Sequence, residues 1–163
     1  MLQRRRVMVK IERGSNNYID ECVEALVNSE LGRIYFSQPG KAEKAINKGF
    51  QKEEVWVALN DKQECVGFLW CQMNGAFHSF PYLHIIAIRS QYRNNGLGKE
   101  LMNYFEKVIC EGYSKCFLVV ADFNPKAKKL YEEIGYKEVG KIDGLYKSDV
   151  TEFLMMKNLA SQN

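Results

Sequence analysis

Residues 85–99 read IIAIRSQYRNNGLGK, and they are the most informative stretch of the chain. An apolar run typical of a buried strand leads into a polar loop, and two glycines then open a helix. Glycine allows a bulky ligand to approach the backbone, and the unpaired N–H groups of a helix start carry roughly +0.5 charge. The stretch therefore predicts an anion site suited to a phosphate, with Arg93 and Lys99 as further positive groups.

Two common nucleotide motifs fit this loop poorly. A Walker A loop needs Ser or Thr after its lysine, but Glu100 follows Lys99, and Arg93 stands where the first glycine belongs. A dinucleotide fingerprint needs a third glycine where this chain has Leu101. From the loop alone, the alternative that the two glycines only make a tight turn also stays open.

A second segment makes the interpretation more specific. Residues 93–98 read RNNGLG, and residues 124–136 read NPKAKKLYEEIGY. The pair resembles the R/Q-x-x-G-x-G/A loop and the N-x-x-A-x-x-L-Y-x-x-x-G-F/Y segment of the GNAT superfamily, the acetyl-CoA-dependent N-acetyltransferases. The resemblance covers residues 81–157 with specific motifs and the first half of the chain only by the order of its elements.

The sequence pattern predicts a single α/β domain over residues 7–158, with a flexible basic tail at 1–6 and a second tail at 159–163. Whether residues 1–7 are the native start stays open. Apolar patterning predicts strands at 7–12, 54–59, 65–73, 81–88, 116–121, 136–142 and 151–156, helices at 19–27, 41–50, 96–113 and 124–134, and a loop at 31–40. The resemblance implies a mixed, mostly antiparallel sheet, flanked by helices and splayed between two central parallel strands, 82–88 and 116–121.

The resemblance also implies a binding site for acetyl-CoA as cosubstrate. The strand residues Ile86, Ala87 and Ile88 would pair with the pantetheine arm and point an N–H at the acetyl carbonyl. The pyrophosphate would be wrapped by Arg93, Asn94, Asn95, Gly96, Leu97, Gly98 and Lys99. Asn124 would contact the cofactor, although an Asn before Pro125 is also a favoured helix cap.

Tyr131 is the residue that the resemblance assigns as general acid. Amine attack on a thioester expels a thiolate, which needs a proton, and a tyrosine of pKa ~10 is neutral at pH 7 and can donate one. The alternative is a core tyrosine whose hydroxyl bonds the backbone.

The general base is harder to assign. Some members of the superfamily carry a Glu five positions before the Asn, where this chain has Val119. The arylalkylamine N-acetyltransferases carry two imidazoles on the earlier strand, in the sequence HLHALAV. Here residues 82–88 read YLHIIAI, so His84 matches the second imidazole and Tyr82 replaces the first. His84 is the leading candidate base, directly or through a water, and a hydrogen-bonded core histidine is the alternative.

Composition excludes several classes of protein. The 163 residues are 46% hydrophobic and 26% charged with a net charge of +3, which argues against a disordered chain and against a nucleic-acid partner. Residues 1–8 lack the apolar stretch of a signal peptide, and no run is long enough to cross a membrane. Five cysteines without C-x-x-C spacing and two histidines predict no metal site and a reducing, cytoplasmic location.

These observations predict an N-acetyltransferase that moves an acetyl group from acetyl-CoA to a primary amine by direct attack in a ternary complex. A catalytically weak acyl-CoA-binding sensor or regulatory module of the same fold is the main alternative, because Val119 lacks a carboxylate. A nucleotide-binding regulator is the third. The acceptor and the oligomeric state, including a homodimer, stay open.

Overall fold

The structure, a computed structural model, describes residues 6–159 of the 163-residue chain. Its strands are β1 (Lys10–Arg13), β2 (Val55–Leu59), β3 (Cys65–Ala76), β4 (Phe80–Ile88), β5 (Lys115–Ala121), β6 (Lys137–Asp143) and β7 (Thr151–Asn158). Its helices are α1 (Ile19–Val27), α2 (Glu30–Tyr35), α3 (Lys41–Gln51), α4 (Leu97–Tyr104) and α5 (Pro125–Glu133). Residues 1–5 and 160–163, which make up most of the two predicted tails, lie outside the described residues.

The strands follow the order β1-β2-β3-β4-β5-β7-β6. The pairs β1–β2, β2–β3, β5–β7 and β6–β7 are antiparallel. The central pair β4–β5 is parallel, and its ladder joins Tyr82 to Phe117 and Leu83 to Leu118. The predicted mixed, mostly antiparallel sheet with two parallel central strands is confirmed, and the ladder between these two strands comprises two residue pairs.

The described residues group into two compact units, the first comprising residues 6–70 and 85–105 and the second residues 71–84 and 106–159. In the first unit the helices α1 and α3 cover the sheet. Buried residues recur at helical spacing on α1, at Cys22, Ala25 and Leu26, and on α3, at Ala42, Ile46, Gly49 and Phe50. Apart from Gly49, they share one core with Val57, Phe68, Ile85 and Ala87. This core anchors the part of β4 that leads into the glycine loop, by which we mean residues 89–96 between β4 and α4.

The segment 31–40 is predicted as a loop, and this prediction is wrong for residues 31–35, because α2 spans Glu30–Tyr35, whereas residues 36–40 carry no helix or strand. The Ser29 hydroxyl caps the helix by accepting a hydrogen bond from the Gly32 N–H at 3.0 Å. The structure uses Gly32 for close packing between α2 and α1. A Cβ at Gly32 would lie 1.7 Å from the carbonyl oxygen of Leu26.

The helix predicted over 96–113 is shorter than expected. Regular α-helix ends at Tyr104, and a π turn follows over Phe105–Ile109. A π turn places an extra residue in the turn, which rotates later side chains off the buried face. Val108, which lies within this turn, is 48% exposed.

In the second unit β7 lies between β5 and β6, and α5 precedes β6 in the chain. The hydroxyl of Tyr136 lies 3.2 Å from the Sγ of Cys116, so the connection between α5 and β6 contacts the start of β5 through buried side chains. The turn between β3 and β4 holds Phe77 and His78 at φ 55° and 56°. This tight turn joins β3 directly to β4. Within residues 6–159 no helix has the length and apolar character needed to cross a membrane.

Candidate active site

The glycine loop of the first unit links β4 to α4 through two left-handed residues. Asn94 has φ 63° and Gly96 has φ 78°, a region that asparagine and glycine tolerate better than other residues. No atom lies within 4 Å of a Cβ built on Gly96, so the backbone there is open to a ligand. The chain reverses at Gly96 and enters α4 at Leu97.

Two side chains hold the loop in this shape. Asn95 donates from Nδ2 to the carbonyl oxygens of Tyr92 and Arg93, at 3.1 and 3.2 Å. Arg93 donates from Nε to the Ile88 carbonyl at 3.1 Å and from Nη2 to the Asn28 carbonyl at 2.9 Å. The Arg93 guanidinium therefore binds backbone carbonyls of the first unit, and Lys99 is the exposed cation of the motif.

The start of α4 offers donors for an anion. The first bond of its ladder runs from the Glu100 N–H to the Gly96 carbonyl at 3.1 Å. The N–H groups of Leu97, Gly98 and Lys99 come before that bond, so α4 itself does not use them. Together with the helix dipole, these groups form an arrangement that suits a phosphate.

The strand segment before the loop alternates in burial. Ala87 is 5% exposed and belongs to the core of the first unit, whereas Ile86 and Ile88 are half-buried on the other side of the strand. Such a strand can present apolar side chains and backbone groups to an elongated ligand.

In the second unit, Asn124 caps α5. Its Oδ1 accepts from the Ala127 N–H at 3.4 Å, and Pro125 takes the first helical position. Asn124 therefore acts as the N-cap of α5, which was the alternative role that the sequence offered for it. Because the cap uses only the side-chain oxygen, the amide N–H groups of Asn124 are not consumed by it.

Tyr131 lies on α5, is 8% exposed and packs edge-on against Tyr136 at 5.9 Å between ring centroids. Burial raises the pKa of Tyr131 to about 12. A raised tyrosine pKa means that the hydroxyl keeps its proton throughout the neutral range, which is the state that a general acid needs.

His84 lies on β4 in the second unit, with its ring centroid 6.1 Å from that of Tyr82. Since Tyr82 pairs with Phe117, and side chains alternate along a strand, Tyr82 and His84 lie on the Phe117 face of the sheet. Tyr136, the ring neighbour of Tyr131, contacts Cys116 on the opposite face of β5. The second unit therefore presents His84 and Tyr131 from opposite faces.

Glu152 of β7 is an acid on the face of the sheet that carries Tyr82 and His84, and the sequence did not single it out. Its side chain is 2% exposed. The only sequence signal was an acidic residue within a strand that is otherwise largely apolar. Within residues 6–159 no group of three or more His, Cys, Asp or Glu side chains could hold a metal ion.

The sheet order, the glycine loop and the buried tyrosine define an α/β acyltransferase fold of the GNAT type. The family model described as Acetyltransferase (GNAT) family matches residues 23–136. The chain belongs to this family, and the resemblance found in the sequence is confirmed.

Relatives of known name agree with this assignment. Human N-alpha-acetyltransferase 30 is 34% identical over 79 residues, which cover 45% of this chain and 21% of that protein. The chain thus matches about a fifth of the length of this curated relative. Ard1 from Thermoplasma volcanium has a TM-score of 0.78 at 18% identity, covering 95% of this chain and all of that chain. An aminoglycoside 6′-N-acetyltransferase solved with coenzyme A has a TM-score of 0.72 at 22% identity, covering 94% and 99%.

Proposed function

We propose that this protein transfers an acetyl group from acetyl-CoA to a primary amine by direct attack in a ternary complex. The observation that carries the proposal is Tyr131, a buried tyrosine of α5 whose pKa is raised to about 12. Its position in the segment that follows Asn124 supports the role of general acid toward the coenzyme A thiolate. The family assignment supports an acyltransferase, and the acetyl donor and the primary amine are part of the proposal.

The proposed cofactor residues are those that the resemblance implies, and the geometry within each unit supports them. In the first unit, the N–H groups from Asn94 to Lys99 would bind the pyrophosphate, and residues 86–88 would lie along the pantetheine arm. In the second unit, Asn124 would donate a side-chain N–H to the cofactor while its oxygen caps α5. Lys99 would add positive charge from an exposed position.

Two protein groups would accept and donate the protons of the proposed reaction. An alkylammonium has a pKa of ~10, so it must lose a proton before it attacks, and His84 would take that proton, directly or through a water. The amine nitrogen then bonds to the thioester carbon and the C–S bond breaks. The departing thiolate takes the proton of Tyr131, and the second proton lost by the nitrogen restores the tyrosine.

The proposed activity is tested by measuring free thiol release from acetyl-CoA against a panel of amines. The panel comprises peptide N-termini, lysine side chains, polyamines, aminoglycosides and small amines, with product mass confirming the new amide. Release that depends on both the amine and the protein is expected for at least one class. Binding of coenzyme A without turnover of any amine would instead favour the acyl-CoA sensor, which the absence of a carboxylate at Val119 motivates. Calorimetry with ATP, NAD and acetyl-CoA separates the third alternative, because a nucleotide regulator would bind ATP alone.

Replacement of His84 by alanine is expected to reduce kcat/KM for an alkylamine about 100-fold near neutral pH, the lower end of the range for an acid–base group. The loss should shrink as the pH approaches the pKa of the amine, since more of the acceptor is then already neutral. The check is the pH profile of kcat/KM for the wild type and the variant. His78→Ala, in the exposed turn, is the matched control and should leave the profile unchanged. A His84→Ala profile parallel to that of the wild type would remove His84 as base.

Replacement of Arg93 tests whether its guanidinium acts through its positive charge or by holding the glycine loop through hydrogen bonds to backbone carbonyls. If Arg93 acts by holding the carbonyls of Ile88 and Asn28, then both Arg93→Ala and Arg93→Lys should weaken coenzyme A binding about tenfold, because lysine lacks the planar fork of donors. If its charge acted on the phosphate directly, Arg93→Lys would retain most of the affinity. Calorimetric titration with coenzyme A measures the difference, and Lys99→Ala reports the effect of removing charge alone.

We further propose a reducing location, the cytoplasm, for this protein. All five cysteines are free and buried, which suits a chain that is kept reduced. Cell fractionation with an antibody against the protein tests this location.

A further inference from the structure

Arg89 is the first residue of the glycine loop, and its side chain is bound to two neighbouring elements of the first unit. Its Nη2 lies 3.0 Å from the Oε2 of Glu24 on α1, and its Nη1 donates to the Cys65 carbonyl of β3 at 3.2 Å. The side chain is 17% exposed, whereas arginines of globular proteins mostly reach into solvent. A long side chain that is fixed in this way has lost much of its rotamer freedom, so its contacts hold the start of the loop.

The backbone of Arg89 is also bound on both sides. Its N–H donates to the Val66 carbonyl of β3 at 2.9 Å, which continues the contact between β4 and β3 past the end of β4. Its carbonyl accepts from the Tyr92 N–H at 2.9 Å, which closes the first turn of the loop. Arg89 therefore connects this turn to the sheet through its backbone and to α1 through its side chain.

Tyr92 holds the other end of the same turn. Its ring centroid lies 5.9 Å from the guanidinium carbon of Arg89, and its hydroxyl donates to the Oε2 of Glu64 at 3.1 Å. The same carboxylate oxygen accepts from the Nδ2 of Asn60 at 2.8 Å. Both ends of the turn are thus bound to the body of the first unit.

These contacts engage the charge of Arg89 within the protein. Arg93 likewise binds the backbone carbonyls of Ile88 and Asn28, so both guanidinium groups hold the loop from within the first unit. Backbone N–H groups bind a phosphate well when they already point to one place, because ordering them on binding costs conformational entropy. Since a partly exposed ion pair contributes little to stability, we expect the Arg89–Glu24 pair to act on loop geometry more than on the stability of the fold.

We propose that Arg89 is a positioning residue for the cofactor, because its ion pair with Glu24 of α1 holds the glycine loop in the shape that binds the pyrophosphate of coenzyme A. The inference rests on the proposed cofactor site and extends it to two residues that act through the loop. Loss of either partner releases the same contact, so both losses have the same consequence for coenzyme A.

The direction of the effect of Glu24 separates positioning from charge. Coenzyme A is an anion, so removal of an acid would strengthen its binding through charge alone. Positioning gives the opposite result. Glu24→Ala and Arg89→Ala are each expected to weaken coenzyme A binding about tenfold, the lower end for a lost hydrogen bond to a charged group. The double variant should bind no more weakly than Arg89→Ala, since both changes remove one interaction. Titration calorimetry on the full chain measures all three dissociation constants.

Two comparisons serve as controls. Asp20→Ala removes an exposed acid from the same helix and should not weaken coenzyme A binding. The donor S-acetylpantetheine lacks the pyrophosphate. With an amine accepted in the panel, Glu24→Ala and Arg89→Ala should lower kcat/KM for acetyl-CoA about tenfold and leave kcat/KM for S-acetylpantetheine unchanged. A variant that only loosened the fold would slow the reaction with both donors.

Unchanged or tighter binding of coenzyme A by Glu24→Ala would overturn the inference, and so would equal losses with the two donors. Glu24 is partly exposed on α1, so its variant decides the question even where Arg89→Ala does not fold. Absence of any amine turnover by the wild type counts against the proposed function alone, because the calorimetric result with coenzyme A still decides the role of Arg89. A wild type that binds no coenzyme A would overturn both.

Discussion

Replacement of Tyr131 by phenylalanine is expected to lower kcat about 10²- to 10⁴-fold, the range for loss of a general acid. The phenyl ring keeps the packing against Tyr136, so only the proton donor is removed. Because burial raises the pKa of Tyr131 to about 12, the hydroxyl stays protonated through the neutral and mildly basic range. The wild-type rate should therefore show no basic decline from this group until the pH approaches that value.

The measurement is single-turnover thiol release at saturating acetyl-CoA, together with the dissociation constant for acetyl-CoA. Tyr136→Phe is the matched control, because Tyr136 is also a buried tyrosine but its hydroxyl contacts Cys116. That variant should keep its kcat. A kcat of Tyr131→Phe equal to that of the wild type would remove Tyr131 from the reaction, even if other residues still supported acetyl transfer.

Replacement of Gly32 by alanine is expected to destabilise the protein by about 3 kcal/mol or more, the upper part of the range for overpacking. The new Cβ would lie 1.7 Å from the Leu26 oxygen, 2.6 Å from the Leu26 carbonyl carbon and 2.9 Å from the Val27 Cα. All three are backbone atoms of α1, which no side-chain rotation can move. The start of α2 must therefore separate from α1.

Urea or thermal unfolding measures this loss. For a chain of this size, about 3 kcal/mol corresponds to a fall in Tm of roughly 6–12 °C. Gly140→Ala is the control, because the nearest atom to its added Cβ is Leu154 Cβ at 4.0 Å, an ordinary contact. Its free energy of unfolding should stay close to that of the wild type. An unchanged Tm for Gly32→Ala would mean that α2 is not held against α1 in this way.

Local motifs made much of the fold predictable. The apolar strand and the glycines before α4 set the loop through short-range geometry, and Asn124 with Pro125 sets the start of α5 in the same way. Because these signals act over a few residues, the sequence alone indicates in which elements the proposed phosphate site and the proposed acid, Tyr131, lie.

Features that depend on distant partners were not predictable. The helix α2 is predicted as a loop, and the close approach of its Gly32 to Leu26 of α1 becomes visible only in the structure. The burial of Glu152 depends on β7 lying between β5 and β6, an order that the chain does not follow in sequence. The bracing role of Arg93 depends on the Asn28 carbonyl, far away in sequence.

The Asn28 carbonyl couples ligand binding at the glycine loop to the stability of the turn between α1 and α2. The Asn28 oxygen accepts from Arg93 at 2.9 Å and from Arg33 of α2 at 3.2 Å, so the glycine loop and the turn between α1 and α2 share one acceptor. A ligand that fixes Arg93 in this arrangement also stabilises the turn. By thermodynamic reciprocity, a ligand that orders the turn strengthens binding at the loop by the same factor. We therefore expect coenzyme A to slow amide exchange in α2, a helix that the proposed pyrophosphate contacts do not include.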